Sequence, residues 1–153
     1  MNDKFLGKGW ISYLLVMLLG IITSGIGLVL WFFLKDTLMI ILLYYSIDKW
    51  KVPAADQFSF LILGILWMVF VFIVFHFYNK GKQNGQLLQL FLIITGCQSL
   101  LLFICESIMI ILDKGKLSNI YLLISEFLIG SIFISCSLFI KTKRKNHKVS
   151  AKF

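Results

Sequence analysis

Residues Gln86–Leu112 read QLLQLFLIITGCQSLLLFICESIMIIL, and this stretch decides the fold. It contains no proline and a single acid, Glu106. About 20 predominantly apolar residues suffice to cross a bilayer as an α-helix. In hydrocarbon the backbone must satisfy its own hydrogen bonds, so such a run reads as a helix. Thr95, Ser99, Leu102 and Glu106 recur at four-three-four spacing, which is one face of that helix. Gln98 and Cys105 lie beside the same face.

Three more runs of spanning length flank it: Trp10–Leu34, Phe58–Tyr78 and Ser118–Ile140. The 153-residue chain is 59% hydrophobic and 14% charged, with 15 phenylalanines and one proline, Pro53. Soluble domains carry about 25% charged residues, and the mean hydropathy of +0.93 points the same way. The predicted fold is therefore all-α, a polytopic antiparallel bundle of four transmembrane helices. One domain is expected over 1–153, with spans at about 10–34, 58–78, 86–112 and 118–140 and a basic cytoplasmic tail at 141–153. Lys4 and Lys8 precede the first run much as in a signal peptide. That run is too long for a typical h-region and lacks a small-residue cleavage site, so it reads as an uncleaved first span.

The connections set the topology. Asn79–Gly85 is short and polar with Gly81 and Gly85 as breakers, and Asp113–Leu117 turns around Gly115. Both force antiparallel neighbours. Lys35–Gln57 is longer and holds the apolar segment Thr37–Ile47, too short to span. It reads as an interfacial helix, an extension of the first span or a re-entrant segment, with Tyr44, Tyr45 and Trp50 suited to headgroup level.

The net charge of +8 is unevenly placed. Lys4, Lys8, Lys80, Lys82 and the tail cations Lys141, Lys143, Arg144, Lys145, Lys148 and Lys152 fall on one side. Half as many fall on the other: Lys35, Lys49, Lys51, Lys114 and Lys116. The positive-inside rule then predicts both termini in the cytoplasm of a cell membrane. The expected partners are the lipid bilayer and, at Lys141, Lys143, Arg144 and Lys145, anionic lipid headgroups or a docking partner. Ordinary topology anchoring is the simpler reading of those four residues. No nucleic-acid-binding pattern is present.

Glu106 and Glu126 are the lead to function, because a carboxylate in hydrocarbon is costly and normally faces a bundle interior or a cavity. Glu106 sits seven residues before Asp113 and Glu126 eight after Ser118, which predicts one membrane depth across the hairpin. Carboxyls that close share a proton rather than both ionising. With Gln98 and Ser99 they form a candidate intramembrane polar site, suited either to interhelical hydrogen bonding or to a proton relay or cation site. Glu126, Gly130, Phe133 and Ser137 make a stripe on the fourth helix, with Ser131 and Ser135 beside it as a close-packing pair. Gly20, Ser24, Thr23 and Gly27 make a similar stripe on the first, for another helix of the bundle or a second copy of the chain.

Catalysis finds no foothold. There is no nucleophile elbow, zinc-protease motif or P-loop. His76 and His147 are too few for a histidine metal site. Cys97, Cys105 and Cys136 form no C-x-x-C pair and read as small packing residues. No cofactor is expected.

Gly7-Lys8-Gly9-Trp10-Ile11 opening the first span, Lys80 and Lys82 after the second, and Lys141-Thr142-Lys143-Arg144-Lys145 after the fourth carry a resemblance over almost the whole chain. In these features it resembles a bacterial family of small four-helix membrane proteins of unknown function that open with Gly-Gly-Trp-Leu. It departs where Lys8 breaks the Gly-Gly pair. It also lacks a proline after the second span's basic patch, and has Cys136-Ser137-Leu138-Phe139 where the family has Pro-Tyr. The resemblance implies a bacterial cytoplasmic membrane protein and brings no activity. Two functional readings remain: a non-enzymatic accessory, immunity or assembly partner of another membrane protein or of itself, and a small proton-coupled transporter using Glu106 and Glu126.

Overall fold

The computed structural model of the chain describes residues 3–45, 50–112 and 120–150. Four helices account for nearly all of them: α1 Asp3–Tyr44, α2 Val52–Gln83, α3 Leu87–Leu112 and α4 Ile120–Ser150. Each is long and apolar enough to cross a membrane. The chain is an all-α, multi-pass membrane protein.

Three helices run further than the sequence predicts: α1, α4 and α2, which covers Val52–Gln83 where Phe58–Tyr78 is expected. The charges Lys35 and Asp36 mark Leu34 as the end of the first span, yet α1 continues to Tyr44 and reaches 42 residues. At ~1.5 Å per residue that is about 63 Å, twice a ~30 Å hydrocarbon core. Lys35 Nζ lies 2.9 Å from Asp56 Oδ1 on α2, so its charge is paired against the neighbouring helix without stopping α1. Of the three readings of Thr37–Ile47, extension of the first helix holds through Tyr44; residues 46–49 lie outside the described ones. Thr37 is buried and its hydroxyl donates to Phe33 O, 2.7 Å away. There is thus no separate interfacial helix in the described part of this segment. Likewise α4 passes Ile140, where a tail was expected to begin, and stays helical to Ser150. The turn at 113–117 lies outside the described residues.

The helices form a row. The antiparallel pairs α1/α2 and α3/α4 join through a parallel contact between α1 and α3, and α2 leans onto α3. Packing on α4 comes mainly from α3. A closed square would surround every helix with two neighbours. Lipid tails are as apolar as leucine, so nothing drives the chain to cover its remaining apolar faces. Leu18, Phe72 and Phe139 accordingly stay exposed.

The turn between α2 and α3 pins one end of this row. Gly85 has φ 63°, Gln86 N–H donates to Gly81 O at 2.7 Å, and Gly85 N–H donates to Lys82 O at 3.2 Å. That is a Schellman motif with glycine at its left-handed position. Gly81 is not a breaker: it lies within α2, buried, with the Leu90 side chain packed directly on it. Next to the turn, Val16, Val74, Tyr78 and Leu87 form the buried core, surrounded by Leu19, Phe70 and Phe91. Gly85→Ala should cost about 1 kcal/mol, because only glycine adopts this backbone without strain. Gly85→Asn should cost less, and detergent unfolding midpoints of the two variants check the order.

Candidate functional site

The polar face of α3 is buried as its spacing predicts: Thr95, Gln98, Ser99, Leu102, Cys105 and Glu106 are all enclosed. Consecutive residues on a helix point about 100° apart, so the neighbours Gln98 and Ser99 reach different helices. Gln98 Nε2 donates to Thr23 O of α1 at 3.1 Å. Ser99 Oγ donates to Glu126 O of α4 at 2.8 Å.

Both acceptors are backbone carbonyls inside helices, and each lies four residues before a glycine. Gly27 follows Thr23 and Gly130 follows Glu126. In a helix the side chain at i+4 lies over the carbonyl of residue i. Without one, the carbonyl's second lone pair stays open to another donor. A Cβ on Gly27 would stand 3.0 Å from Gln98 Nε2. On Gly130 it would stand 3.0 Å from the Leu100 side chain and 3.2 Å from Gly96 O. Two glycines thus open two carbonyls, and two adjacent α3 residues bind them.

The α1 stripe faces its own chain. Fully buried Thr23 donates to Leu19 O at 2.8 Å and pairs with the Tyr78 hydroxyl at 2.7 Å. Tyr78, Thr23 and Gln98 therefore link α2, α1 and α3 in one hydrogen-bonded series. The Phe75 ring sits so close over Gly20 that a Cβ there would come within 2.6 Å of it. Ser24 O accepts from Trp67 Nε1 at 3.2 Å. Gly27 meets Phe70 as well as Gln98.

On α4, Gly130 and Ser137 are buried against α3, and Ser137 Oγ donates to Gln89 O at 3.3 Å. Ser135 is exposed, so Ser131 and Ser135 are not the close approach. Gly96 is, opposite Gly130, a contact missed in the sequence. Each glycine is isolated on its helix, and a lone glycine produces no spacing motif.

The same packing moves the two acids apart in depth. Ser99 lies beside Glu126, and Glu106 is seven residues further along α3, about 10 Å. Counting from the turn assumed that the helices leave it level. Instead glycine packs opposite glycine, and that contact fixes the register. Glu106 and Glu126 remain within electrostatic reach of each other, but their carboxyls do not hydrogen-bond. Oε2 of each is buried without a partner. Glu106 is 9% exposed and Glu126 is half-buried. Cys105, next to Glu106, lies against Thr37 of α1.

The remaining candidates are peripheral. His76 is exposed beside Phe77. Lys141 and Lys143 are exposed on α4, whereas the side chains of Arg144, Lys145 and His147 lie outside the described ones. The Lys82 ammonium sits over the Tyr13 ring. Packing describes Cys105 alone among the cysteines, since Cys97 and Cys136 are exposed on apolar helix surfaces. No group of three or more His, Cys, Asp or Glu able to hold a metal occurs among the described residues. Compared with protein-family models, curated proteins and solved structures, the chain matches none of them.

Proposed function

We propose that this chain is a non-enzymatic protein of the bacterial cytoplasmic membrane that acts by assembling with another membrane component, as an accessory or immunity partner. One observation carries the reading. Gln98, Ser99, Thr23, Tyr78 and Ser137, all buried side chains of the spans, are engaged in links between the chain's own helices. The row also leaves apolar helix surface uncovered on α1, α2 and α4, including Leu18, Phe72, Leu128 and Phe139. Both termini lie in the cytoplasm, as the excess of Lys and Arg at the end of the α2–α3 turn and after α4 favours. Lys141, Lys143, Arg144 and Lys145 then meet anionic headgroups.

Native electrophoresis of membranes from the producing cell tests this. The chain should migrate in an assembly well above its own 17.6 kDa, and Phe72→Ala should weaken that assembly without unfolding the protein. A chain that stays monomeric in its own membrane overturns the reading. A cysteine placed at position 115 should be labelled only from outside the cell.

The unpartnered Oε2 atoms of Glu106 and Glu126 favour a second reading, proton-coupled transport. Purified wild-type protein in proteoliposomes separates the two. The assembly reading expects no proton flux and no effect of Glu106→Gln or Glu126→Gln on it. Flux that either substitution abolishes in a folded protein establishes transport.

A further inference from the structure

Helix α4 is the open edge of the row, packed mainly on α3. Gly130 and Ser137 mark its buried line. Leu122, Glu126, Ile129 and Phe133 recur at four-three-four spacing beside that line, which makes them one flank of the helix. Leu122 is 53% exposed and Ile129 46%, so this flank is open to lipid. An acid therefore stands on an otherwise apolar, uncovered helix face.

Glu126 sits six residues from the Ile120 end of α4, ~9 Å along the helix. It is half-buried, and only Oε2 of its carboxyl is enclosed; the other oxygen reaches the surface. Glu106, nine-tenths buried on α3, sets a second unpartnered carboxyl within electrostatic reach. Among the described residues neither carboxyl has a hydrogen bond or an ion pair. Acids inside a span normally pair with another group, so Glu126 is one half of a contact.

The other half follows by elimination. A divalent metal ion needs several oxygen ligands, and one surface oxygen does not supply them. Lipid ammonium groups stay at the headgroup level. A second copy of the chain brings no cation to this depth among the described residues. Lys35 is held by Asp56, Lys80 and Lys82 stand beside the α2–α3 turn, and Lys141 lies ~22 Å further along α4. An ammonium or guanidinium on a neighbouring helix reaches the exposed oxygen directly, and such a charge-assisted bond is strong where water is scarce.

We infer that the Leu122–Phe133 flank of α4 receives a transmembrane helix of a different membrane protein, one that carries a lysine or arginine at the depth of Glu126. The inference rests on the assembly reading and adds a contact on α4 to the apolar surface of α2.

Energy transfer to a synthetic helix tests it. Cys105→Ala with Cys136→Ala leaves Cys97, exposed on α3, to carry the acceptor dye. The probe is a donor-labelled leucine–alanine peptide of spanning length in phosphatidylcholine vesicles, with one lysine ~9 Å from one end of its apolar run. Transfer should saturate at a peptide content roughly tenfold below that needed when leucine replaces the lysine, the size of one hydrogen bond to a charged group. Arginine in that place should act as lysine does. Glu126→Gln should remove the preference. The comparison of lysine with leucine peptide needs no Glu126 variant, so a misfolded one leaves the test intact. Equal transfer to the two peptides, or a lysine preference that survives Glu126→Gln in a folded protein, overturns the inference. Equal transfer beside a large assembly on native electrophoresis would refute this partner and keep the assembly reading.

Discussion

Gly130→Leu should separate α4 from α3 and cost about 3 kcal/mol, the upper end for overpacking a tight contact. Even a Cβ at this position would touch Leu100 at 3.0 Å and Gly96 O at 3.2 Å, and the second is backbone that cannot rotate away. The added atoms would also cover the Glu126 carbonyl and displace Ser99. Because α4 packs mainly on α3, this contact is its principal hold among the described residues. Gly130→Ala should cost roughly 1 kcal/mol, between wild type and the leucine variant. Buried Cys105 is the reporter. With Cys97→Ala and Cys136→Ala in the background, the temperature at which its thiol becomes reactive should fall from wild type to alanine to leucine.

Tyr78→Ala should be as severe, at about 3–4 kcal/mol, for a different reason. Tyr78 is fully buried among Val16, Val74 and Leu87. Removing the ring leaves a cavity that helices tied by the turn at Gly85 cannot easily close. Tyr78→Phe keeps the ring and loses only the bond to Thr23. Thr23 still donates to Leu19 O, so this variant should cost roughly 1 kcal/mol or less, as interhelical hydrogen bonds in membranes do. The same thiol reporter measures both. A phenylalanine variant as unstable as the alanine one would assign the hydroxyl, not the packing, the larger share.

These variants also mark what was legible in the sequence. Four helices follow from apolar length alone, because lipid allows a long apolar run little else. The buried face of α3 follows from the spacing of Thr95, Ser99, Leu102 and Glu106. Its partners do not follow. The Thr23–Tyr78 bond joins residues 55 positions apart, and no local pattern encodes such a pairing. The length of α1 was hidden because Lys35 reads as a terminus until Asp56 is placed beside it. The depth of Glu126 was hidden because hairpin register depends on which surfaces fit, and here Gly96 fits Gly130. Spacing alone makes Gln98 and Ser99 companions of the two acids. They serve as ties to α1 and α4, while the acids keep their free carboxyl oxygens.

The central claim is that α3 holds its neighbours through carbonyls opened by glycine, with Glu126 contributing its backbone at the level of Ser99. Glu106 and Glu126 are the only glutamates in the chain, so ¹³C-carbonyl labelling of glutamate yields two backbone signals. Glu106→Gln removes one and assigns the other. In that labelled protein, Ser99→Ala should shift the Glu126 carbonyl signal in the direction of a lost hydrogen bond. A Glu126 carbonyl that does not respond to Ser99→Ala would contradict the account.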